Sequence, residues 1–117
     1  MKTMWIFAVV FTCTAPVAQA KDTFCRFSQE CFETEACSET SFEMTMAAGP
    51  DGDVQLITEA ETIDAFKSGD PEHGFVIGFG GSAMHVLSAA KSGQARYSVH
   101  LAGPMLVSYH GICEVGE

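Results

Sequence analysis

Five cysteines and four histidines are the side chains of this 117-residue sequence best suited to redox, metal or nucleophilic chemistry. Cys13 falls in an apolar leader. The other four, Cys25, Cys31, Cys37 and Cys113, are separated by six, six and seventy-six residues. An even number at such spacings reads as two disulfides in an oxidising compartment, because structural zinc favours close C-x2-C or C-x4-C pairs. Three pairings are open. The favoured one joins Cys25 to Cys113, tying the start of the mature chain to its last strand, and Cys31 to Cys37 across a small loop. Cross-linked cysteines leave no thiolate nucleophile.

The remaining candidates are weaker. Period-two alternation puts His85 opposite His100 on an outer face, with Arg96, Ser98, Ser108 and His110 nearby. Two imidazoles can hold a transition metal. No carboxylate falls on these strands as a third ligand, so the expectation is surface histidines. A metal-binding protein or enzyme using the His85/His100 face is the alternative. Asp51-x-Asp53 lacks the further alternate ligands and distal Glu of a calcium loop, and reads as a turn. Gly78-x-Gly80-Gly81-Ser82 has the composition of a phosphate cradle but precedes a strand pattern, not a helix N-terminus. Ser82 lacks a G-x-S-x-G context. The carboxylates from Glu30 to Glu43 lie in a polar stretch with no apolar pocket to raise one pKa. These residues together predict a non-enzyme with no cofactor and no resident metal.

The elements that carry these residues begin with an export signal. Lys2, the apolar run Met4 to Phe11, Pro16 and Ala18-Gln19-Ala20 match a cleaved signal peptide over residues 1–20. The run is too short for a membrane span of roughly 20 residues. Without Lys2 the chain holds five Lys/Arg against fifteen Asp/Glu, a formal charge of −10, and thirteen of those acids fall within residues 22–72. Such a balance disfavours nucleic acid and anionic membranes, whose phosphates need a basic surface. It favours a cationic partner.

Residues 21–40 are acidic, cysteine-rich and without sustained period, and read as an irregular segment held by disulfide, with a short strand around Phe24 to Phe27. Residues 41–117 read as one antiparallel β domain with that segment. Phe42, Met44, Met46 and Ala48 share a face, and a turn at Gly49 to Asp53 pairs Met46 with Leu56. Thr58 to Lys67 fits a helical turn through Ile63 and Phe66, or a twisted strand. Phe75, Ile77 and Phe79 are expected to face inward, turning at Gly80-Gly81 onto Met84, Val86 and Ser88. Tyr97, Val99 and Leu101 follow inward, with Tyr97 opposite Tyr109 and Val99 between Val86 and Val107. Six or seven such strands predict an all-β meander closing into a barrel or sandwich.

At Ser92-Gly93-Gln94-Ala95-Arg96-Tyr97 the chain resembles the membrane-bound inhibitors of c-type lysozyme. These small exported bacterial β-barrels carry a Ser-Gly-x-(Arg/Lys)-Tyr motif and tie an N-terminal cysteine to one near the C-terminus. Gln94 is one residue more than the motif holds. The resemblance implies Ser92, Arg96 and Tyr97 as partner contacts and a cationic, lysozyme-like muramidase as partner. The function expected is therefore that of an exported, disulfide-bonded binding or cell-envelope protein, periplasmic or extracellular.

Overall fold

Among the described residues the chain forms eight strands: β1 (Thr23–Phe32), β2 (Ser38–Ala48), β3 (Val54–Ile57), β4 (Thr62–Ser68), β5 (Phe75–Gly80), β6 (Ala83–Ala89), β7 (Gln94–Leu101) and β8 (Met105–Val115). The computed structural model describes residues 22–49, 53–70 and 74–116. The expected signal peptide and most of the turn around Asp51 lie outside these. Each strand pairs antiparallel with the next, and β8 returns to β1, closing a barrel. The all-β expectation therefore stands, and of the two architectures it is the barrel.

Cys25 lies opposite Cys113 across the β1–β8 seam, and the two are joined as a disulfide. Cys31 and Cys37 are joined across the β1–β2 turn. Both match the favoured pairing, and such bonds persist outside the reducing cytoplasm. Other registers also agree: Met46 faces Leu56, Tyr97 faces Tyr109 and Val99 faces Val107.

Two expectations need correction, and one left open is decided. Residues 22–40, expected to be irregular, are largely strand. A bulge between Phe27 and Gln29 inserts Ser28 and shifts the alternation, so Cys25 and Phe27 face inward before it, while Glu30 and Phe32 share the face of Tyr109 and Val107 after it. A period that changes phase in mid-strand hides from a search for strict alternation. Of the two readings of Thr58 to Lys67 the strand holds: residues 62–68 form β4, with Ile63 and Ala65 buried and Phe66 outside.

The second correction concerns β5 and β6. Phe75, Ile77, Phe79, Met84, Val86 and Ser88 do share a face, but it is the outer one. The turn is Gly81-Ser82, where Gly81 has φ +62°, and Val86 pairs with Ser98 rather than Val99. Inside stand Val76, Gly78, His85 and Leu87. Both faces of these strands are apolar, so hydrophobicity alone does not choose between them. Space does. The interior of an eight-stranded barrel is just wide enough for side chains, and Phe27, Met44, Leu56, Ile63 and Tyr97 already occupy it. A Cβ at Gly78 would come within 2.8 Å of Ile63 Cγ2. The inward line of β5 must be small, so its phenylalanines go out.

Candidate functional site

Successive turns of an up-and-down barrel alternate between its ends. The turns at 33–37, 58–61, 81–82 and 102–104 meet at one end. They carry Glu33, Glu35, Glu59 and Glu61 and no Lys or Arg, and Glu30 and Glu39 stand on the strand ends beside them. The described turn residues of the other end carry Asp53, Asp70 and Lys91. A rim of one sign makes a field that attracts opposite charge and speeds encounter.

Specific bonds shape this acidic end. Glu33 has φ +51°, a conformation that non-glycine residues seldom adopt. It is held there from both sides by β8: the Glu33 N–H donates to the Leu106 carbonyl at 3.0 Å, and the Leu106 N–H donates to Glu33 Oε1 at 2.9 Å. In the next turn the Thr58 hydroxyl accepts from the Glu61 N–H at 3.1 Å.

Beneath the rim lies a column of stacked rings. Phe42 and Tyr109 are 4.8 Å apart between centroids, Tyr97 and Tyr109 5.6 Å, and Phe42 and Tyr97 5.9 Å. His85 stacks on Tyr97, and its Nδ1 is hydrogen-bonded to the Tyr97 hydroxyl. His85 is 3% exposed, and its Nε2 has no hydrogen-bond partner among the described residues. A Cβ at Gly80 would lie 3.8 Å from that nitrogen, which places it toward the β5–β6 turn. Tyr109 lies opposite Glu30 of β1.

Both phenols resist ionisation. Burial pushes Tyr97 well above the usual phenol range, and the nearby charge of Glu61 and the Tyr109 phenol add to the shift. Burial also raises Tyr109, with the charge of Glu30 and its hydrogen bond acting in the same direction. The unfolded chain releases these protons at pH ~10. Above that pH the folded state binds more protons than the unfolded one, so stability falls as pH rises. It is fully present below that pH and is lost as pH climbs through the higher folded values. Tyr97→Phe is expected to flatten this alkaline loss. Urea titrations at stepped pH check it, and an unchanged slope would show that Tyr97 ionises as freely folded as unfolded.

The structure separates several residues that the sequence grouped. His85 is inside, opposite Gly78 and Val99, while His100 points outward opposite Met84 and Leu106. The proposed His85/His100 metal face therefore does not exist: a one-residue difference in the β6–β7 register puts the imidazoles on opposite sides of the wall. Among the described residues no three His, Cys, Asp or Glu side chains converge as metal ligands. Arg96 does lie beside His110, and Ser98 beside Ser108, on the outer wall. Of the three residues implied as contacts, Ser92 and Arg96 are exposed, but Tyr97 is 2% exposed and belongs to the ring column. Tyr97 packs the barrel interior beneath that segment of β7. Ser92 sits in the β6–β7 loop, at the end opposite the acidic rim, where its Oγ accepts from the Gln94 N–H at 3.4 Å.

Sequence reasoning passes over Glu30, Glu33, Glu61 and Tyr109 as site residues. The phase change at Ser28 conceals the inward position of Glu30, and nothing local marks Glu33 as the residue that clasps β8. No family model, curated protein or solved structure matches this chain, so its geometry carries the functional argument.

Proposed function

We propose that the chain is exported by cleavage after Ala20 and acts, in the periplasm or outside the cell, as a non-enzymatic protein that binds a cationic partner, a lysozyme-like muramidase being the sharpest form of this reading. The observation that carries it is the segregation of charge: the turns of one barrel end hold four glutamates and no base among the described residues. The disulfide across the seam supports an oxidising compartment. The ring-filled interior supports a surface mode of binding rather than an enclosed active site.

The resemblance points to the other end, at Ser92 and Arg96. The two regions have separable roles: a charged field acts on association and its salt dependence, whereas a desolvated anchor acts on dissociation. Arg96 is exposed on the outer wall, so Arg96→Ala leaves the core intact. If Arg96 pairs with an active-site carboxylate of the muramidase, its loss weakens the complex by about 2–5 kcal/mol and abolishes inhibition. The test is peptidoglycan turnover by a c-type lysozyme with excess wild-type or Arg96→Ala protein. Inhibition by both alike removes Arg96 as the anchor. No inhibition by micromolar wild type removes the muramidase and leaves the cationic partner to be sought elsewhere.

A further inference from the structure

The barrel wall is incomplete beside β2. On one side β2 pairs with β1 from Ser38 to Met46, but on the other it pairs with β3 only from Thr45 to Ala48. Among the described residues, the stretch Ser38–Met44 therefore has no strand on the β3 side. There the β3–β4 turn leaves a cleft of about 610 Å³, lined by Ser41, Phe42, Glu43, Thr58, Glu59 and Ala60 among others. We infer that this edge takes an extended, Lys- or Arg-bearing segment of a partner protein as an added strand.

Three features of the cleft support this occupant. A strand edge presents backbone N–H and C=O groups that another strand can pair, which is the basis of recognition by strand addition. Sheet edges are commonly protected by proline, lysine or a covering loop, and Ser38-Glu39-Thr40-Ser41-Phe42-Glu43-Met44 contains neither proline nor lysine. The charges there are all of one kind. Glu39 and Glu43 project outward, and Glu59 stands across the cleft. Arg26 meets Glu43 at 3.4 Å, but both are largely exposed and the pair is weak. This acidity repels an identical edge from a second copy and favours basic residues at alternate positions of an incoming strand. The intervening positions face Phe42, whose half-buried ring stacks on Tyr109 and offers an apolar seat. The fitting segment alternates basic and apolar residues.

The inference rests on the cationic-partner reading but not on a muramidase. Its test uses the disulfide-bonded exported protein and a synthetic peptide of alternating lysine and valine. A second peptide of the same sequence and charge carries N-methyl groups on alternate backbone amides. The first peptide is expected to bind with strong salt dependence and to slow amide exchange within Glu39–Met44, while the N-methylated one fails. Glu39→Gln with Glu59→Gln should weaken binding several-fold. Equal binding of both peptides, or binding without protection of Glu39–Met44, reduces the effect to bulk electrostatics and overturns the inference. Protection of the same amides by raising protein concentration alone would assign the edge to a second copy, and also overturns it. Failure of the lysozyme assay with success here removes only the muramidase, and failure here with inhibition there removes only strand addition.

Discussion

Replacing Cys25 and Cys113 together by alanine is expected to lower stability by about 4–5 kcal/mol, roughly twice the loss from replacing Cys31 and Cys37. The reason is loop length. The first bond closes a sequence separation of 88 residues and the second a separation of 6. In the chain-entropy view a cross-link stabilises by restricting the unfolded chain, and the restriction grows with the logarithm of the loop. The long bond also lies on the seam. Pairing β1 with β8 is the least local step in closing this barrel, and it is where loop entropy weighs most. A domain of this size has about 5–15 kcal/mol in total, so the double variant should be marginal. Urea midpoints of the two double variants measure the difference. Equal losses, or a larger one for Cys31/Cys37, would show that the seam holds without its cross-link.

What the sequence can reveal of this architecture depends on whether one face of each strand differs clearly from the other. Where only one face is apolar, as in β2 and β3, alternation gives the register to the residue, Met46 opposite Leu56. The tyrosines of β7 and β8 are placed correctly for the same reason. In β5 and β6 both faces are apolar, and the inward line is decided by volume, which no window of hydrophobicity contains. The clue present is Gly78 and Gly80 on a single face, since glycines within a strand mark close approach by another group. In β1 the clue is weaker still, because a bulge leaves no signature beyond a broken period. The result is an outer wall bearing Phe66, Phe75 and Phe79 at 46%, 48% and 66% exposure, where the period alone places two of the three in the core.

The site divides in the same way. Acidity and four cysteines beyond the apolar leader are visible in the sequence, and both survive into the structure as a charged rim and two bonds. Neither the ring column nor the clasp at Glu33 is visible, because each joins residues far apart in sequence. Glu33 and Leu106 are 73 positions apart, and His85 reaches Tyr97 only through a register that hydropathy misplaces. The histidine that looks like a surface ligand is a core side chain, and its environment comes from β5 and β7 rather than from its own neighbours.

Gly111→Ala is expected to destabilise the barrel by at least about 3 kcal/mol, a large effect for a single added methyl. Gly111 lies opposite Phe27 on β1 and Ala95 on β7, at the point where the β1 bulge begins. A Cβ there would lie 2.6 Å from Phe27 Cα and 2.8 Å from the Arg26 carbonyl carbon, and closer still to the Arg26 carbonyl oxygen. All three are backbone atoms. No rotamer change relieves the clash, so the strands themselves must part along the seam that the Cys25–Cys113 bond holds. Gly81→Ala is the control. Gly81 also favours glycine, through its φ of +62°, but among the described residues nothing lies within 4 Å of its missing Cβ. Its cost is the backbone penalty alone, about 1–2 kcal/mol. Urea denaturation of the two variants separates steric exclusion from conformational preference. If Gly111→Ala costs no more than Gly81→Ala, β8 does not approach β1 as closely as the bulge requires, and the bulge itself must sit elsewhere in β1.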